Sequence, residues 1–334
     1  PGTRVREHRW LGRTRFRLYL FTVKKIITAL LVCLIPGLAA AESGETTQVR
    51  RTPEAVLSAF LYAYPDKIGT IEKKDDTWAV EIGDAVFLWA GGRLIPKELE
   101  ATVDDYTGYP FYTYHVKLPP IVELSPEEKQ RLEERIDDRQ ENPSRRHPGI
   151  YNAIWRIKDE KTAWNQAKTA FIFGHKLTIH RDLLDELAAI EEELMTRAGS
   201  NRELLAYIES IRNVEGYSWR RIAETGSLSY HSYGAAVDFL PASTGGKGIY
   251  WLWQKQYDTE WYRLPYDRRH MPPDSFIEAF ERRGFIWGGK WFYYDTMHFE
   301  YRPEILALNG WLREERPNPV TGVVETIWLP PGER

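Results

Sequence analysis

The sequence predicts an α+β fold, a small antiparallel sheet with flanking helices, preceded by a small mixed N-terminal module. Three observations predict it. Helical stretches with clear starts and stops are followed by short strand-like runs, rather than alternating with them regularly. The strand runs meet at tight glycine turns, Gly83-Asp84 and Gly288-Gly289, which suit antiparallel neighbours. The 334 residues, 43% hydrophobic and 28% charged, have an ordinary globular composition and suffice for one or two domains with a sizeable core. No internal repeat is present.

Residues 1–41 read as an export signal. Lys24-Lys25 precede an apolar run from Ile26 to Leu38, and Ala39-Ala40-Ala41 offers a small-residue cleavage site before Glu42. The run is short for a membrane span, so no stable span is expected after signal removal; a retained N-terminal anchor is the alternative. Val23-Lys24-Lys25 has the form of a natural signal start, and residues 1–22 are then expected to be over-extended translation. The only cysteine, Cys33, falls in this segment. A mature chain would hold no thiol, which excludes disulfides, thiolate ligands and a cysteine nucleophile. The segment carries 8 basic and 1 acidic residues. A chain starting at residue 42 keeps 37 of the 45 basic and 47 of the 48 acidic residues, a formal net charge of −10. That balance argues against a nucleic-acid partner.

Residues 42–150 form the expected N-terminal module, of unassigned role. Thr52-Pro53-Glu54 reads as the cap and first turn of a helix to about Tyr64. Trp78–Ile82 and Ala85–Trp89 read as a hairpin. Residues 101–124 are aromatic and proline-punctuated, without a clear period. Ser125-Pro126-Glu127-Glu128 has the form of a capping box opening a charged helix to about Glu141. Asn142–Gly149 reads as a linker. Residues 151–312 form the second expected domain, and 313–334 a C-terminal tail. Leu183–Thr196 is an amphipathic helix, Ser200-Asn201-Arg202-Glu203 caps another to about Arg212, and Pro272-Pro273-Asp274 starts a third that Gly284 stops. Phe285–Trp287, Gly288-Gly289 and Lys290–Tyr294 read as strand, turn, strand.

Two segments carry chemistry: Ser229–Asp238, with His231 and Asp238, and Asp295–Glu300, with Asp295 and His298. Two histidines and an aspartate are a common ligand set for a catalytic Zn2+, leaving a fourth position open. His231 and Asp238 are seven apart. A straight strand would put them on opposite faces, and a helix would separate them by about 10 Å along its axis. A bend at Gly234 is therefore required. His298 must come from a distant segment, and a neighbouring strand is expected to supply it. His175 and His180 are the nearest competing ligands, but Phe171–His175 looks like the start of a strand.

Ser229-x-His231-x-x-Gly234-x-Ala236-x-Asp238 resembles the S-x-H-x-x-G-x-A-x-D motif of VanY-type zinc peptidases, the D-alanyl-D-alanine carboxypeptidases and phage L-alanyl-D-glutamate endolysins. Asp295-x-x-His298-Phe299 resembles their second motif. Trp287-Gly288-Gly289-Lys290-Trp291 is similar to the endolysin-like branch, as is Asp rather than Glu at position 295. The resemblance covers about residues 175–305. It implies His231, Asp238 and His298 as zinc ligands and Asp295 as the general base. It also implies an upstream arginine at the substrate carbonyl: Arg220, in Gly216-Tyr217-Ser218-Trp219-Arg220, with Arg221 as runner-up. The function implied is hydrolysis of peptidoglycan stem peptides by an exported enzyme of the periplasm or cell envelope. Two other readings remain at this point: a non-catalytic, zinc-stabilised cell-wall-binding module, and a non-haem iron oxygenase, which also uses two histidines and a carboxylate.

Overall fold

The computed structural model describes residues 52–333, apart from 75, 143, 144, 223, 224, 319–321 and 323. The expected export signal, with Cys33, lies outside the described residues. The chain is a mixture of helices and small antiparallel sheets, the α+β class expected.

Helix α1 (Pro53–Ala63) begins as the sequence dictates. Thr52 accepts the Ala55 N–H on its side chain at 3.2 Å, with Pro53 in the first turn. Its inner face buries Val56, Leu57 and Phe60. Strands β1 (Ile68–Lys74), β2 (Thr77–Ile82), β3 (Ala85–Ala90) and β4 (Arg93–Pro96) follow as a meander in chain order. The hairpin at Gly83-Asp84 forms as read, with Gly83 at φ +57°. Its two outer strands were not read from the sequence.

Helix α2 (Pro126–Glu141) has the expected reciprocal cap, Glu128 N–H to the Ser125 hydroxyl and Ser125 N–H to the Glu128 carboxylate. Leu132 and Ile136 of this charged helix are buried against Trp251, Trp261, Tyr262 and Tyr294. After α3 (Gly149–Ile154) and α4 (Glu160–Gln166), β5 (Ala167–Ile172) and β6 (His175–His180) form a second hairpin. Helices α5 (Leu184–Ala198) and α6 (Arg202–Ser210) end close to where the periodicity stops, α6 giving way directly to β7 (Ile211–Glu215).

The sheet that carries the candidate site has the order β7-β8-β10-β9, with β8 spanning Ala236–Pro241, β9 Phe285–Trp287 and β10 His298–Tyr301. Between β8 and β9 lie α7 (Trp251–Lys255) and α8 (Asp274–Arg282). The core face of this sheet stacks Phe239 and Phe299 on Phe276 and Phe280 of α8, with ring centroids 4.4–5.8 Å apart. Each such ring, fully buried, contributes about 1.5–3 kcal/mol. Lys290–Tyr294 is not a strand. The glycine pair leads into a short 3-10 turn, and the chain loops away so that Phe292, Tyr293 and Tyr294 join the Trp251–Trp261 aromatic cluster. Helix α9 (Pro303–Leu308) packs on α1. Residues beyond 312 include a hairpin, β11 (Leu312–Pro317) with β12 (Val324–Leu329). Apolar side chains from both sides of the 142–149 segment share one core, from Val56 to Trp328.

Candidate metal centre

The bend expected between His231 and Asp238 is present. Tyr230–Tyr233 is a 3-10 turn, closed by Gly234 in the left-handed conformation (φ +66°, ψ +26°). A side chain at 234 would also collide with β6, since a Cβ there would lie 2.7 Å from the His180 nitrogen. The Ser229 hydroxyl starts the turn by accepting the His231 N–H at 3.3 Å. Ala235 and Ala236, both fully buried, then carry the chain into β8 and Asp238.

His298 arrives from the neighbouring strand. In the β8–β10 ladder His298 stands directly opposite Asp238, which brings side chains on one face into contact. His298 Nδ1 is 2.7 Å from Asp238 Oδ1, His231 Nε2 is 3.1 Å from Asp238 Oδ2, and the two imidazole nitrogens are 3.2 Å apart. These three are the group among the described residues whose donor atoms could hold a metal, all lying within 4.8 Å of one another.

The remaining imidazole nitrogens decide the tautomers. His231 Nδ1 lies 2.5 Å from the Gly216 carbonyl, which can only accept, so Nδ1 carries the proton and Nε2 is free as a ligand. His298 Nε2 faces the Glu300 carboxylate at 3.0 Å and donates to it, leaving Nδ1 turned to Asp238. Ligating histidines are held this way, the far nitrogen donating to a carbonyl or carboxylate. Two oriented imidazoles and a carboxylate fit the donor set of a zinc site.

The carboxylates and imidazoles of the group stabilise one another's charged forms. Burial alone would raise the Asp238 carboxyl, but His231 and His298 prevail and hold it well below the usual carboxylate range. Burial would lower His298, yet Asp238 and Glu300 raise it well above an ordinary histidine. Glu300 follows the same logic, with burial opposed by His298 and Arg302, which together lower it.

Asp295 precedes β10. Its N–H donates to the Gly288 carbonyl at 3.0 Å, and its carboxylate accepts the Met297 N–H at 3.3 Å. Burial pushes its carboxyl up to about 7; His298 opposes this, and the Asp238 charge adds to it. Arg220 reaches to within 3.7 Å of Asp238 Oδ2, with its side chain 46% exposed. Ser232 pins its backbone by accepting the Arg220 N–H at 2.9 Å and donating to the Arg220 carbonyl at 2.8 Å. The neighbouring Arg221 turns instead to the Gly226 carbonyl. Of the competing histidines, His180 is a core residue, bonded to the Trp155 carbonyl and the Asp182 N–H, and His175 lies at the start of β6. Trp287 is fully buried in the core, whereas Trp291 is half-buried with its ring 5.7 Å from that of His298.

Glu300 and the Gly216 carbonyl are partners of the two histidines that the motifs did not reveal. Glu300 had a signal: two residues beyond His298 on a strand is the same face. Gly216 had none in sequence.

No curated protein and no solved structure matches this chain. Residues 56–111 match a domain of unknown function. Residues 223–301, the stretch that supplies His231, Asp238, Asp295 and His298, match the family model of D-alanyl-D-alanine carboxypeptidase.

Proposed function

We propose that this protein is an exported zinc metallopeptidase that hydrolyses amide bonds in peptidoglycan stem peptides. The observation that carries the reading is the convergence of His231 Nε2, Asp238 and His298 Nδ1 within a segment matched to a carboxypeptidase family. Bound zinc would lower the pKa of a water and polarise the scissile carbonyl. His231 and His298 hold their ligand nitrogens in place through the Gly216 carbonyl and Glu300. Asp295 accepts the proton of the attacking water and passes it to the leaving amine. A carboxyl raised to about 7 suits transfer in both directions near neutral pH. Arg220, exposed and permanently charged, donates to the carbonyl oxygen as charge develops there.

Asp at 295 favours the L-alanyl-D-glutamate endopeptidase type over the D-alanyl-D-alanine carboxypeptidase type. A wall-binding module would have no use for a half-buried carboxyl poised for proton transfer, and an exported chain lacks ready access to an oxygenase's cytosolic co-substrate. Among the described residues no helix is long and apolar enough to cross a membrane. An envelope location rests on the expected leader and on where the substrate is found.

The test is mass spectrometry of defined muropeptides incubated with the protein, with and without a chelator. Chelator-sensitive cleavage is expected, the product masses naming the bond. Asp295→Ala should keep its zinc and lose about 10²–10⁴-fold in turnover. Normal turnover by that variant removes the base assignment, and intact stem peptides in the presence of zinc-loaded parent protein remove the peptidase.

A further inference from the structure

Glu300 does more than accept a proton from His298. It is the first member of a buried polar chain that leaves the site altogether. Arg302 Nη1 donates to Glu300 Oε2 at 3.4 Å, and Arg302 Nε donates to Glu304 Oε1. Arg302 Nη2 donates to the Tyr151 hydroxyl at 3.1 Å, which in turn donates to Glu304 Oε1 at 2.9 Å. The Tyr64 hydroxyl closes the chain, donating to Glu304 Oε2 at 2.8 Å. The Arg302 guanidinium also lies 4.5 Å from the ring centre of Tyr230, next to the ligand His231.

The local sequence explains the arrangement. His298 and Glu300 alternate onto one face of β10. Arg302 follows at the strand's end, and Pro303 starts α9 so that Glu304 sits in its first turn. Helix α9 packs on α1, whose C-cap is Tyr64. Exposure of Glu300, Arg302, Glu304, Tyr64 and Tyr151 is between 1% and 8%. Buried charges in such number are retained only with partners, and each oxygen and nitrogen of this chain faces one. Tyr64 lies within the segment matched to a domain of unknown function, and Arg302 and Glu304 fall beyond the matched peptidase segment.

We propose that Glu300, Arg302 and Glu304, anchored by Tyr64 and Tyr151, are positioning residues that fix the tautomer and angle of His298, so that metal affinity depends on the N-terminal module. The inference rests on the metal-centre reading but not on which bond, or whether any bond, is cut. A carboxylate held from behind by a guanidinium cannot swing away from His298 Nε2; released, it leaves the imidazole free to rotate and its Nδ1 free to take the proton.

The experiment is zinc affinity of the full chain by competition with a chromophoric chelator, with the visible spectrum of bound Co2+ as a readout of ligand geometry. Thermal unfolding of the metal-free protein is followed in parallel. Glu300→Ala is expected to lose about 10–100-fold in zinc affinity. Glu300→Gln, which keeps an acceptor oxygen, is expected to recover part of that loss. Tyr64→Phe, a single hydroxyl far from the metal, is expected to weaken affinity less and to shift the Co2+ spectrum. Parental affinity and spectrum in both Glu300→Ala and Tyr64→Phe overturn the proposal. A loss in Glu300→Ala alone overturns the module's share in it, and reduces the Tyr64 bond to a brace. A parent that binds no zinc overturns the metal centre itself, a result separate from any failure to cleave muropeptides.

Discussion

The two four-stranded sheets among the described residues treat polar residues in opposite ways. The N-terminal meander has a wet side: β1 exposes Gly69, Thr70, Glu72, Lys73 and Lys74 and buries only Ile68. In the second sheet, β9 is buried at every position, and so are the first four residues of β8 and the first three of β10. A charge on the first sheet can be solvated by water. Asp238, His298 and Glu300 on the second are each only 8% exposed, and they are bonded to one another instead. Apolar residues would pack on these buried strands at less cost than three ionisable groups in a row, so each of the three depends on the partners it has.

Perturbing each region separately tests that contrast. The largest effect is expected at Asp238. Asp238→Asn preserves shape but should lower zinc affinity by more than about 100-fold, beyond the usual loss of an outer partner, with the circular dichroism of the fold retained. Parental affinity in that variant would remove Asp238 from the ligand set. Next in size is Phe87→Ala in the first sheet, which empties a fully packed position and should cost about 3–5 kcal/mol. Because Phe87 shares a core cluster with Phe280 and Phe299, unfolding should remain one transition. Two separated transitions by calorimetry would mean that the sheets are independent after all.

His180 gives a smaller, pH-dependent effect. Burial lowers it to about 4, and both its nitrogens are engaged as the neutral ring. Above about pH 6.5 it is neutral in folded and unfolded chain alike, so its stability contribution is complete. Below that the unfolded chain takes a proton that the folded one refuses, and stability declines until about pH 4, by about 3 kcal/mol in all. Denaturant midpoints of His180→Gln should be flatter across that window than those of the parent; parallel curves would sink the assignment. The smallest change belongs to the wet side of the meander. Glu72→Ala should stay within about 0.5 kcal/mol of the parent, and a larger shift in the urea midpoint would show that this side is covered.

The same contrast explains what could be read from the sequence. His231, Asp238 and His298 were legible because their spacing sits in two short motifs, and the need for a bend at Gly234 followed from strand geometry alone. The helix starts at Thr52 and Ser125 were legible because capping is local. Strand β1 was not, because an edge strand with one buried residue has no apolar alternation to detect. Lys290–Tyr294 was misread because aromatic residues favour strands in general, whereas here Tyr293 and Tyr294 serve the cluster around Trp251 and Trp261. The Gly216 carbonyl and the path from Glu300 to Tyr64 depend on backbone and long-range packing that no local pattern encodes.

Strand β9 is the edge of the second sheet, and an unoccupied edge donor invites another chain to pair with it. Here the Trp287 N–H is taken by the Tyr114 hydroxyl at 2.8 Å, and that hydroxyl is itself tied to Glu281 beside Lys290. A side chain thus stands where the next strand would dock. Pairing of a further strand at this position would first have to displace that phenol from the Trp287 N–H.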